Sequence, residues 1–258
     1  MWCSCCSSST AHKAQSKVHP LKQDKLGAPV GFANNPVPME LYHMDASPPC
    51  RAVRMVARHL NLSLNLIPVN FMAGEHMTPQ FRKINPQSVL PTLVDDGFVL
   101  WESRAVLTYL VNRYVPHSPL YPTDPRSRAS VERLLYFDMG TLFDACHKIL
   151  YPVIFGGPLP DSEQEKPLVR ALDLLGGFLG ENKFLSGDDV TLADISILAT
   201  LTVTEATFVR ACTDYELNRF PVVLDYYERL KSSLPYYNEI NDLGMQQMRG
   251  IRSQSNSK

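Results

Sequence analysis

The rhythm of apolar and polar positions changes at Met39. MELYHM has the length and texture of a short buried strand, and LNLIPV repeats that signal further along. Between them, Ser47-Pro48 sets an N-cap residue before a proline at the first helical position. RAVRMVARHL then carries Val53, Val56, Ala57 and Leu60 on one helical face. A strand, a helix and a second strand joined in this way predict a parallel pair. TPQFRKI is a weaker helical stretch. PTLV and FVLW flank the turn Asp96-Gly97 and predict an antiparallel hairpin. ESRAVLTYLVNRY closes the unit as an amphipathic helix, with Ala105, Val106, Tyr109 and Leu110 at helical spacing.

The order βαβαββα, with a proline immediately before the third strand, is the thioredoxin-like plan. VPHSPLYPTDP then reads as a linker, and everything after Pro125 has helical texture without strand alternation. A long helix is expected from about Arg126 to Phe155. Others are expected over KPLVRALDLLGGFLG, DDVTLADISILATLTV, FPVVLDYYERL and PYYNEINDLGMQQM. Thr191 to Asp194 forms a capping-box-like start to the third of these helices. The predicted organisation is an extension over residues 1–38, a thioredoxin-like α/β domain over 39–115 and a linker over 116–124. An all-helical domain over 125–252 and a flexible tail over 253–258 complete it.

Composition narrows the partners. The 258 residues are 45% hydrophobic, enough for a sizeable core, and the net charge of -1 offers no field for a polyanion. No nucleic acid is expected as a partner. No apolar run has the length of a transmembrane segment and the N-terminus lacks the apolar core of a secretory signal, so a cytoplasmic location is expected. The first 38 residues are rich in Ser, Lys, Pro and Asn, without a helical or strand period, and read as disordered. Cys3, Cys5 and Cys6 in that arm admit palmitoylation, against the alternative of a solvated tail without function. Cys50, Cys146 and Cys212 are scattered, which predicts reduced thiols and no disulfide framework. No metal site is expected.

The stretch DASPPCRAVR brings Ser47 and Cys50 to the spacing of a Cys-x-x-Cys redox pair, but with serine where the attacking thiolate would sit. Taken alone, Ser47 reads as a plain N-cap. The wider sequence adds SPPCR, AGEHMTPQFRKINPQ, VLPTLVDDGFVLWESRAVLTYLV, YFDMGTLF and GDDVTLADISILA. Together these resemble the cytosolic glutathione transferases, most closely the insect delta and epsilon classes, from Met39 nearly to the end of the chain.

The resemblance implies an enzyme that uses glutathione as co-substrate and needs no metal. The thiol of glutathione has an ordinary pKa of about 8.5, so catalysis must favour the thiolate. Ser47 occupies the family's position for the hydroxyl that does so, and Cys50 becomes a buried spectator. Glu102, Ser103 and Arg104, at a helix start after a strand, correspond to the residues that grip the γ-glutamyl end. Pro91 resembles the family's cis-proline, which presents the backbone of Leu90 to the cysteinyl part. His76 resembles a histidine that reaches the glycyl carboxylate, the alternative being a solvated loop histidine. Ser88 stands where many members have histidine, a departure that should loosen the hold on that carboxylate. Phe143, His147, Tyr151 and Phe155 recur along the long helix, on the face where the family places its hydrophobic substrate; Met245, with Met248, is expected to close that pocket. A homodimer is implied. A glutathione-dependent isomerase or peroxidase acting on a steroid or lipid-like substrate, and a ligandin-like carrier, remain as alternatives to conjugation.

Overall fold

In a computed structural model, residues 38–155, 157–158, 160–204 and 217–255 are described. The arm with Cys3, Cys5 and Cys6, and also Cys212, lie outside the described residues.

Four strands form one sheet: β1 (Met39–His43), β2 (Leu64–Pro68), β3 (Thr92–Asp95) and β4 (Phe98–Trp101), in the order β2-β1-β3-β4. β1 runs parallel to β2 and β3 antiparallel to β4, as the crossover and hairpin patterns predict, and β1 pairs antiparallel with β3. Along β1 buried and half-buried residues alternate, because one face packs on the core. Asp96 and Gly97, with φ of 49° and 79°, close the hairpin in the left-handed geometry that suits the twist of the strands. Helices α1 (Pro48–His59), α2 (Pro79–Ile84) and α3 (Ser103–Tyr114) complete this half, with a short 3-10 turn at Glu75–Met77.

The rest of the described chain is mainly helical: α4 (Pro125–Phe137), α5 (Phe143–Ile154), α6 (Ser162–Leu179), α7 (Leu192–Leu201), α8 (Pro221–Ser233) and α9 (Tyr237–Ser255). Every residue of α7 is buried, so it forms the axis of the core. Asp194 serves as the third residue of the capping box with Thr191 and also accepts from the Leu185 amide and the Tyr226 hydroxyl. No described helix is long and apolar enough to cross a membrane.

Three details differ from the sequence pattern. The helix expected over Arg126 to Phe155 is divided by a π turn at Asp138–Leu142, and it ends at Ile154, with Phe155 as its C-cap. One extra residue in that turn lets the Asp138 carboxylate enter the core, where it finds three donors. On α3 the buried face is Ser103, Val106, Leu107, Leu110 and Val111; Ala105 is exposed, since alanine suits either face. α9 continues to Ser255, past the expected boundary at 252, because a helix can run on after its apolar repeat has ended.

Candidate functional site

The sheet register gathers the sequence-predicted residues at one end. Tyr42 near the end of β1 pairs with Thr92 at the start of β3, which pairs with Trp101 at the end of β4; His43 pairs with Pro68 at the end of β2. The chain therefore leaves or enters the sheet at this end four times. Those four connections carry Ser47, His76, the Ser88–Pro91 loop and Glu102–Ser103. The peptide bond between Leu90 and Pro91 is cis.

At the start of α1 each backbone donor is accounted for. Pro48 and Pro49 have no N–H, the Cys50 amide donates to Ser47 Oγ at 3.4 Å, and the Arg51 amide donates to the Ser47 carbonyl at 3.0 Å. Ser47 Oγ is thus an acceptor from its own helix, and its rotatable hydrogen can donate either inward to the Cys50 sulfur or outward to a ligand. No backbone N–H of this helix end is left to contact a ligand sulfur. Cys50 is fully buried, and burial pushes its thiol up, away from the thiolate.

α3 begins in the opposite way. α1, α2, α4 and α6 each have a side-chain cap, but Glu102 makes no cap bond and holds a left-handed φ of 65°. An uncapped first turn presents N–H groups without intrahelical partners, and strain of this kind persists where surrounding structure enforces it. Gln87 supplies part of that enforcement. Its Nε2 donates to Glu102 Oε1 at 3.2 Å while its Oε1 accepts from Trp101 Nε1 at 2.8 Å. Ser103 is buried, and its Oγ accepts from Arg104 Nη1 at 3.0 Å.

Arg104 turns toward the helical half. Its Nη2 meets Asp138 Oδ2 at 2.6 Å, and the fully buried Asp138 also accepts from Ser196 Oγ at 2.5 Å and Thr200 Oγ1 at 2.8 Å. The guanidinium lies 5.3 Å from the centre of the Phe143 ring. From Phe143 an aromatic ladder climbs α5, with His147 and Tyr151 rings 4.5 Å apart and Phe155 6.4 Å beyond Tyr151. Burial pushes the Tyr151 hydroxyl up, and both Arg51 of α1 and Arg104 of α3 oppose that shift. The ladder therefore meets the start of α3 through Arg104 and Phe143. Phe143 and Tyr151 are half-buried, whereas His147 and Phe155 are exposed. Met245 on α9 is buried and lines a groove with Lys231, Tyr237, Asn238, Asp242, Gln246 and Arg249. Met248 is buried against Arg51.

His76 lies in the 3-10 turn with its ring stacked on Phe71 at 4.0 Å, and its Nδ1 is shielded without a partner among the described residues. Ser88 has a left-handed φ of 59°, and its buried Oγ is likewise unpartnered. Both sit at the end of the sheet that carries Ser47.

Two family models match the chain: "Glutathione S-transferase, N-terminal domain" over residues 41–118 and "Glutathione S-transferase, C-terminal domain" over residues 128–229. Glutathione S-transferase D6 of Drosophila melanogaster is 41% identical over 201 residues, covering 78% of this chain and 91% of that protein. The chain belongs to the glutathione S-transferase family. Drosophila glutathione S-transferase D7 is 44% identical over 72% of this chain and 80% of its own length. Among solved structures, a delta-class glutathione transferase of Nilaparvata lugens superposes with a TM-score of 0.77 at 40% identity, over 84% of this chain and all of that one. A Bombyx mori glutathione transferase solved in complex with GTT gives 0.76 at 40% identity, over 83% and 98%. The fold and the delta/epsilon resemblance agree with these findings. Both family matches end before α9.

Sequence reasoning missed Gln87, Asp138, Ser196 and Thr200. Only Asp138 left a signal: a lone carboxylate in an otherwise apolar helix, YFDMGTLF, has to find partners if it is buried.

Proposed function

We propose that the protein conjugates the thiolate of glutathione to a hydrophobic electrophile, with Ser47 as the thiolate-stabilising hydroxyl. The relatives' names support glutathione transfer. The observation that carries the role of Ser47 is the donor census at α1: with two prolines and a spent Cys50 amide, the serine hydroxyl is the donor left for the sulfur. In this reading residues 39–115 hold glutathione, residues 125–252 hold the electrophile, and 116–124 link them.

Glutathione lies along the end of the sheet. Its γ-glutamyl carboxylate takes the uncapped N–H groups of α3 and Ser103, while Glu102 takes its ammonium. Arg104, held by Asp138, fixes the position of Ser103 and does not itself spend its charge on the ligand. Leu90, beside Pro91, offers its backbone to the cysteinyl part; His76 and Ser88 lie near the glycyl end. The electrophile rests on Phe143, Tyr151 and Phe155, with His147 at the rim. Holding both reactants together supplies much of the acceleration. The reaction is a detoxifying conjugation in the cytoplasm. The enzyme acts as a homodimer, a reading supported by the large apolar side chains left exposed at Phe98, Tyr136 and Met139.

Ser47→Ala tests this proposal. Loss of a hydrogen bond to a charged sulfur, about 1.5 to 3 kcal/mol, should slow conjugation at neutral pH by about 10 to 100-fold. It should also move the pH profile of kcat/KM upward. Cys50→Ala should leave the profile in place. The assignment fails if Cys50→Ala abolishes conjugation in folded protein while Ser47→Ala changes neither rate nor profile.

A further inference from the structure

The turn that carries Ser47 is held from the far end of the chain. Gln247, an exposed residue on α9, accepts from the Ala46 amide through Oε1 at 3.1 Å and donates from Nε2 to Asp45 Oδ2 at 3.1 Å. Arg51, fully buried, takes the two carbonyls of the same turn, Asp45 O at 3.1 Å and Ala46 O at 3.0 Å. Its other terminal nitrogen, Nη2, donates to Thr202 Oγ1 at 2.5 Å, after the end of α7. Arg54 pairs with Asp45 Oδ1. α9 comes this close because residue 244 is glycine: a Cβ there would overlap the Asp45 carbonyl oxygen and lie 2.6 Å from Arg51 Nη1. The two residues preceding Ser47 are thus fixed at one amide, two carbonyls and one carboxylate.

We infer that Gln247 is a positioning residue for the Ser47 hydroxyl, acting through Ala46 and Asp45. This inference rests on the proposed role of Ser47. The geometry distinguishes it from simple helix docking. Gly244, Asn241 and Met248 are buried contacts of α9, with Asn241 reaching Met55 and Met248 reaching Arg51. Gln247 is solvent-accessible and spends both ends of its amide on the turn. A hydroxyl that stabilises an anion does so only while its O–H vector meets the sulfur, because the bond weakens steeply off-line. With Gln247 removed, Arg51 still holds the carbonyls, but the Ala46 amide and the free side of the Asp45 carboxylate return to water and the turn gains freedom. The charged and titratable groups that the described residues bring to this turn are His43, Asp45, Cys50, Arg51 and Arg54. Tyr151, Tyr227 and Tyr237 face Arg51 from the helical half. Gln247 is uncharged, so replacing it with another uncharged residue alters none of these charges directly.

Gln247→Met keeps the length of the side chain and removes both hydrogen bonds. The probe is glutathione alone, with the thiolate of the binary complex titrated by its ultraviolet absorbance, followed by kcat/KM for a chromogenic electrophile across the same pH range. The expected result is a midpoint raised by about half a pH unit, with kcat/KM about threefold lower at neutral pH and recovered at high pH. The KM for glutathione should stay within about twofold, since no ligand contact is lost. Gln246→Met, one residue away and without a contact to the turn, is the control and should leave the midpoint in place.

If Ser47→Ala raises the midpoint and Gln247→Met does not, the inference is overturned and the role of Ser47 stands. If Ser47→Ala itself leaves the midpoint unmoved, the role of Ser47 falls and the inference falls with it. A loss of rate in Gln247→Met that is equal at every pH and accompanied by a lower melting temperature would show α9 docking only, which also overturns the inference. An equal shift in Gln246→Met would do the same.

Discussion

Asp138 offers a measurement of what joins the two halves of the molecule. Its carboxylate is fully buried, and it is the only carboxylate among the described residues that pairs with Arg104, whose side chain is 14% exposed. Asp138→Ala would strand a nearly buried guanidinium and leave the hydroxyls of Ser196 and Thr200 without this acceptor. Breaking a buried pair from one side costs about 3 to 5 kcal/mol. For a chain of this size each kcal/mol moves the melting temperature by about 2 to 4 °C, so a fall of roughly 6 to 20 °C is expected. Asp138→Asn keeps an oxygen acceptor and loses the charge, so its loss should be smaller. Both variants should also raise the KM for glutathione, because Arg104 would cease to hold Ser103. Asp138→Leu combined with Arg104→Met removes both charges and should melt well above Asp138→Ala, since neither partner is left stranded. Thermal melts monitored by circular dichroism, with glutathione kinetics on each folded variant, provide the assay. A melting temperature for Asp138→Ala within 2 °C of the parent, or a double variant no more stable than that single one, would refute the reasoning; the threshold is about the effect of 1 kcal/mol.

Three further outcomes are expected. Gly244→Ala should destabilise by at least about 1 to 3 kcal/mol, the usual cost of overpacking, because the added methyl meets backbone at Asp45 and cannot be relieved by a side-chain rotation; an unchanged urea midpoint would contradict the close approach of α9. His59, half-buried with its Nδ1 2.8 Å from the Tyr236 hydroxyl, has its pKa lowered by burial, so the folded chain keeps it neutral while the unfolded chain protonates it. Its contribution is therefore present above the ordinary histidine value of about 6.5 and is lost as the pH falls below it; His59→Gln should flatten the acid limb of a melting-temperature profile, and an identical slope in both proteins would reject this. Sedimentation at micromolar concentration should give a dimer, and Tyr136→Glu, at an exposed apolar position, should shift it toward monomer. A monomer before substitution would refute the dimer.

Elements were legible in the sequence where local rules decide them. β1 announced itself by length and composition, the hairpin by Asp96-Gly97, and α7 by a capping box that forms as Thr191 and Asp194 predict. The misses at Arg51 and Gln247 share a cause in partners distant along the chain. Arg51 reads as one more polar residue in a helix, yet it is fully buried, with its two terminal nitrogens donating to Thr202 and to the turn before it. Gln247 reads as surface, and it is; its significance lies in an amide 201 residues earlier. The π turn escaped notice because it alters helical spacing by one residue within a stretch that stays helical on both sides. The assignment of Met245 to the electrophile pocket rests on the suitability of methionine for irregular ligands, since no periodicity tells which side of α9 meets α5.

In the proposed reading, the contrast between the two helix starts lets this site treat the parts of one small peptide differently. A helix N-terminus with free N–H groups draws carboxylates, and two such ends side by side would compete for whichever anion arrived. At α1 that competition is removed, since Pro48 and Pro49 delete two donors, Ser47 consumes a third, and a single rotatable O–H remains. One hydroxyl is a poor carboxylate clamp, and it suits a sulfur that needs one directed hydrogen bond. At α3 the donors are kept. Glu102 is turned into a left-handed conformation where it does not cap them, and Gln87 and Trp101 hold it there. A carboxylate anchored at α3 would leave the thiol at the end of β1, over a helix whose dipole favours the anion and whose backbone cannot take the sulfur's place. Substituting Pro49 with alanine would restore one N–H to that first turn, giving the carboxylates a second place to bind.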